Sequence, residues 1–159
     1  VNQPADISFL IDSLLGLHDE QKPFSGSIDE SRIGLSGFSL GGLTTYLAPS
    51  HPVWRDSRIA AALAIAGPSA IFAPRFFETS SVPMLAVGGT SAALIEHARN
   101  VADLRTRARN ISIITIEGGT HLGFLAALAA LAAAAGVSLQ RRHRRPLAPH
   151  RAPEPPQLT

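Results

Sequence analysis

The chain has 159 residues, 45% of them hydrophobic and 16% charged, enough for one domain with a buried core. Its formal charge of +2 is unevenly spread: residues 140–159 carry +4, from Arg141, Arg142, Arg144, Arg145 and Arg151 against Glu154, and the residues before them carry −2. No aromatic residue interleaves those arginines, so a base-stacking nucleic-acid surface is excluded, and the absence of cysteine excludes disulfides, thiolate nucleophiles and Cys-based zinc sites.

In chain order, residues 2–17 (NQPADISFLIDSLLGL) predict a helix, with Asn2 as cap and Pro4 in the first turn. Ile7, Leu10, Ile11, Leu14 and Leu15 form one continuous apolar stripe at helical spacing. A polar Gly/Ser-rich loop runs through Ile28, and residues 32–39 predict a short strand that enters Gly41-Gly42. Residues 43–48 are helical in pattern.

Three uncharged runs follow, at 59–66 (IAAALAIA), 82–87 (VPMLAV) and 111–116 (ISIITI), each with the profile of a strand buried on both faces. Between the last two, residues 92–109 predict a helix with Leu94, Ala98, Val101 and Leu104 as its stripe. Strands spaced by helices, each strand apolar throughout, predict an α/β fold: a mostly parallel sheet, doubly wound and covered on both faces.

Residues 122–139 carry no charge and precede RRHRR. The reading favoured is a terminal amphipathic Ala-rich helix rather than a membrane span, because alanine is too weakly hydrophobic to drive insertion. The domain is therefore taken as residues 1–139. Residues 140–159, basic and with five prolines from position 146 onward, are expected to be a disordered tail.

The strongest local signal is Gly37-Phe38-Ser39-Leu40-Gly41, a G-x-S-x-G pentapeptide followed by Gly42. A serine at a tight strand-to-helix turn must adopt strained backbone angles, and side chains two positions to either side would collide. Small residues there leave the hydroxyl clear at the strand's carboxyl end. The helix that follows places the Leu40 N–H where an oxyanion would develop. No Lys-Ser/Thr pair follows the glycines, which disfavours a phosphate-binding loop.

The second signal is Glu117-Gly118-Gly119-Thr120-His121, directly after ISIITI. A histidine on the loop after a late strand, downstream of the serine, has the order in which imidazole serves as general base to a serine. His18 and His51 fall in loops, His97 on a helix face, and His143 and His150 in the tail. No histidine pair has metal-ligand spacing with a carboxylate, so no metal is expected.

With these residues in place, SRIGLSGFSLGGLTTYLA, AAALAIAGPSAIFAPRFF and the GG-x-HLGF segment resemble bacterial α/β-hydrolases of the dienelactone hydrolase and platelet-activating-factor acetylhydrolase-like branch, over about residues 4–124. The resemblance implies hydrolysis of carboxylic ester or related acyl bonds in a small-molecule substrate, with Ser39 and His121 catalytic and no cofactor.

The sequence departs from the family in two ways. The acid is expected in a GG-x-x-D-like turn, and here that turn is Gly88-Gly89-Thr90-Ser91-Ala92; Glu96, further on, is a possible substitute but is expected to be a solvated helix charge. Only 38 residues precede Ser39, where the family builds four strands, so the N-terminal strands and any targeting signal are expected to be missing. The chain alone is then expected to be inactive on simple esters. Two rival readings are a non-catalytic remnant of the same fold and an acyltransferase or thioesterase with the same nucleophile.

Overall fold

The computed structural model describes residues 3–17 and 28–134. The expected cap Asn2, His18 and the basic tail lie outside the described residues. Helix α1 spans Gln3–Gly16, strand β1 Ile33–Phe38, α2 Leu40–Ser50, β2 Ile59–Ile65 and β3 Met84–Gly89. A π-helical turn at Ala98–Ala102, α3 at Leu104–Arg107, β4 at Ile111–Ile116 and α4 at His121–Ala134 complete the order.

The fold is α/β. All four strands are parallel, in the order β1-β2-β3-β4, and Leu35, Ala62, Met84 and Ile111 lie side by side across the sheet. Crossovers of one hand that always step the same way along a sheet deposit their helices on the same face. The core follows this geometry. Ala62, Ala64, Met84 and Ala86 meet Tyr46 of α2, Leu104 of α3 and Phe77 of the β2–β3 connection. Beside them Ile11 of α1 packs with Ala48 and Ile59. Burial pushes the Tyr46 hydroxyl well above the usual tyrosine range.

Among the described residues the helices cover one face of the sheet. On the second face Leu63, Leu85 and Val87 are only half-buried, and Ile114 and Ile116 are exposed. Uncharged strand sequences indicate capacity for burial, but burial needs a second layer, which requires the strand order to reverse.

Three corrections concern helices. In α1 the packed residues are Ile7, Ile11 and Leu15, while Leu10 and Leu14 face solvent, so the working stripe is narrower than the apolar one. The single helix expected over residues 92–109 is broken: Asn100 accepts through Oδ1 from the Ser69 and Ala70 N–H groups at 3.0 Å, and the π-helical turn forms around it. Leu94 and Ala98 are consequently exposed, while Val101 and Leu104 remain buried. In α4 only His121 and Phe124 are buried and Leu122, Leu125 and Leu131 are exposed, so the helix is apolar around its circumference rather than amphipathic. Among the described residues no helix is long and apolar enough to cross a membrane.

Arg58, just before β2, donates to Asp12 of α1 and to Asp56, linking the first helix to the sheet. Hydrogen bonds from the Arg58 guanidinium hold the buried Asp56 carboxyl at about 2, against an ordinary 3.8. A groove of about 630 Å³ lies between α1 and the start of β1, lined by residues that include Leu14, Leu15, Ile28 and Ile33. It is at the opposite end of β1 from Ser39.

Candidate active site

Ser39 sits between β1 and α2 with φ 57° and ψ −118°, a conformation costly for any residue with a Cβ. It is held there by its neighbours. The Ser39 N–H donates to the Ile65 carbonyl at 2.9 Å, and the Ser39 carbonyl accepts from Leu43 N–H at 3.1 Å. The chain on either side is packed backbone to backbone: a Cβ on Gly37 would lie 2.2 Å from the Gly41 oxygen, and one on Gly42 2.7 Å from Gly67 Cα.

This amends the steric account of the pentapeptide. Gly37 is required by space as expected, but a Cβ on Gly41 would meet nothing within 4 Å. The second close approach belongs to Gly42 against Gly67, because α2 must lie flat across the end of β2. Leu40 opens α2, and its N–H is among the first-turn groups that have no acceptor within the helix. The positive end of the α2 dipole therefore lies beside the Ser39 hydroxyl.

His121 reaches Ser39 from the far edge of the sheet. Neighbouring strands are about 4.8 Å apart, so β4 lies roughly 14 Å from β1, and residues 117–120 must carry the chain back over β3. That path requires two glycines in contact: a Cβ on Gly89 would sit 2.1 Å from the Gly119 oxygen. The Ser91 N–H donates to that oxygen at 3.0 Å, and the Gly118 N–H donates to Thr90 Oγ1 at 2.9 Å. Gly118 has φ 67°, which glycine adopts freely. The result places His121 Nε2 3.0 Å from Ser39 Oγ, across 82 positions of sequence. His121 is 9% exposed, and the Phe38 ring lies against its imidazole at 4.8 Å.

The other histidines within the described residues are engaged elsewhere. His51 Nδ1 accepts from the Val53 and Trp54 N–H groups, and its ring stacks on Trp54 at 4.2 Å. His97 Nε2 meets Thr115 Oγ1 at 2.9 Å. No cluster of three metal-ligating side chains occurs among the described residues.

The other ring nitrogen of His121 is where the site departs from a triad. Nδ1 is buried and has no hydrogen-bond partner among the described residues. Ala92, where the acid was expected, is buried in the turn whose Ser91 is bonded to the His121 loop. Glu96 does not replace it: its side chain is exposed, and its carbonyl accepts from Asn100. When Nδ1 carries the proton, Nε2 can take one from Ser39; when Nε2 carries it, the imidazole can only donate to Ser39. A carboxylate at Nδ1 selects the first tautomer, and among the described residues no group selects either.

Sequence reasoning named Ser39 and His121, which the structure brings together, and Leu40, which opens α2, but missed the supports of the histidine loop, Gly89, Gly119 and Thr90. The Gly88-Gly89 and Gly118-Gly119 pairs, each at a strand's carboxyl end, were the available signal. Phe38 was also missed, being an unspecified position of the pentapeptide. No family model matches this chain, and no curated protein is detectably similar to it.

Proposed function

We propose that this chain carries a serine-hydrolase site for carboxylic esters, built in the manner of the α/β-hydrolases of the dienelactone hydrolase-like branch. One observation carries the reading: a strained serine between a parallel strand and a helix, with an imidazole nitrogen 3.0 Å from its hydroxyl. Ser39 Oγ attacks the ester carbonyl carbon while His121 Nε2 takes the hydroxyl proton. The oxyanion is met by the Leu40 N–H and the α2 dipole. Collapse of the intermediate breaks the bond to the alkoxy oxygen, which leaves as the alcohol with the proton from His121. Water, deprotonated by His121, then cleaves the Ser39 acyl ester and releases the carboxylic acid.

The buried, unpartnered Nδ1 favours one rival, a non-catalytic remnant of the same fold. A fluorophosphonate probe separates the two. The proposed site forms a covalent Ser39 adduct that is lost in Ser39→Ala and slowed in His121→Ala. An intact chain with no adduct at Ser39 establishes the remnant, and labelling that survives Ser39→Ala removes Ser39 as nucleophile.

A further inference from the structure

Three strands of the parallel sheet are followed, just past the carboxyl end, by one large apolar side chain turned to solvent. These are Leu40 after β1, Leu94 after β3 and Leu122 after β4, at 63%, 73% and 73% exposure. Because the strands are parallel, these three turns leave the edge on which Ser39 stands. Leu40 is the chain neighbour of Ser39 and Leu122 that of His121. The turns bearing Leu94 and Leu122 are joined through the Ser91 N–H and the Gly119 carbonyl. A single exposed leucine is ordinary on a protein surface, but one after three of the four strands on one edge makes that part of the edge apolar.

Charge in the segments that follow β1, β3 and β4 is sparse and of one sign, whereas the segment after β2 meets Arg107, which donates to the Ser69, Phe72 and Ala73 carbonyls. Residues 39–45, 90–95 and 117–124 contain no lysine or arginine. Their one carboxylate, Glu117, accepts from the Thr90 hydroxyl at 3.3 Å. A substrate bearing its own carboxylate finds no cation in these three segments and one like charge, whereas a neutral aliphatic chain finds surface to cover.

Building on the Ser39–His121 reading above, we infer that the site accepts neutral esters with an aliphatic acyl chain, which covers Leu94 and Leu122, and rejects esters carrying a second, anionic group. The test uses the full chain and three fluorophosphonates: ethyl, octyl, and octyl ending in a carboxylate. The rate of Ser39 adduct formation is followed by intact-mass spectrometry. Phosphonylation needs the nucleophile and base but no deacylation, and ratios between probes cancel a low absolute reactivity.

The octyl probe labels about tenfold faster than the ethyl probe, since each fully buried methylene is worth roughly a factor of four and only part of the chain is covered. The terminal carboxylate returns the rate to the ethyl value or below. Leu94→Ser with Leu122→Ser lowers the octyl-to-ethyl ratio to below roughly threefold, as the covered apolar area is removed. Equal octyl and ethyl rates, or a carboxylated probe that outpaces octyl, overturn the specificity while leaving Ser39 as nucleophile. No Ser39 adduct with any probe overturns the hydrolase reading itself, and the specificity with it.

Discussion

The two ends of the candidate site are held by different means. Ser39 is over-determined: its backbone is fixed by bonds to Ile65 and Leu43, and Gly37 and Gly42 let strand, helix and neighbouring loop close around it. His121 is placed by the contact of Gly89 with Gly119 and by the Phe38 ring, yet its tautomer is not set, because Nδ1 is buried with no hydrogen-bond partner among the described residues. Position and tautomer are thus set separately. Backbone packing supplies the first; a hydrogen-bond acceptor at Nδ1, which the described residues do not provide, would supply the second.

On the proposed reading, the largest effect should come from supplying a carboxylate at position 92. Ala92→Asp is expected to raise the rate of Ser39 phosphonylation, with a ceiling of about 10⁴-fold, the usual cost of losing the aspartate of a triad. Glu96→Gln, made in parallel, should leave the rate unchanged. If Ala92→Asp has no effect while Glu96→Gln abolishes labelling, the base draws its partner from Glu96 and the comparison of the two ends is wrong.

Gly89→Ala tests placement alone. Its Cβ cannot coexist with the Gly119 oxygen, so the histidine loop must lift away from β3. A displacement of about 1 Å at a reacting group costs on the order of 10²-fold, and the loss should appear in labelling rate with little change in the unfolding transition. An unaltered rate would mean that His121 is positioned by something other than the two-glycine contact.

At the nucleophile end the contrast is between two glycines of one motif. Gly37→Ala drives a Cβ into backbone and should cost about 2–3 kcal/mol of stability by urea unfolding. Gly41→Ala meets open space inside a helix and should be neutral or stabilising by up to about 1 kcal/mol. Equal losses at the two positions would contradict the packing described for this turn.

The smallest expected effect concerns the scaffold. The Asp56 carboxyl is held at about 2, below its ordinary 3.8, by hydrogen bonds from Arg58. A carboxylate whose folded value is depressed contributes stability that is fully present above the unfolded value and is lost as pH falls through the folded one. Stability should therefore fall between about pH 4 and pH 2, by on the order of 1 kcal/mol once the partial exposure of Arg58 is allowed for. Asp56→Asn should remove that component of the acid dependence, as read from melting temperature against pH.

Much of this molecule was legible in its sequence because the signals are local. The G-x-S-x-G pentapeptide specifies a strand-to-helix turn through the sizes of adjacent residues, and three of the four strands were visible as uncharged runs. The order of Ser39 and His121 named two residues that the fold brings within 3.0 Å of each other. Tertiary structure decided what depends on distant chain. Leu10 and Leu14 lie on an apolar stripe yet face solvent, because a periodic pattern cannot say how wide a neighbour will be. The helix expected at residues 92–109 gave way to a π-helical turn because the side chain of Asn100 bonds to a loop thirty residues earlier. Above all, that His121 spans the sheet to meet Ser39 rests on two backbones touching at Gly89 and Gly119, a contact between strand ends that only the three-dimensional path of the chain creates.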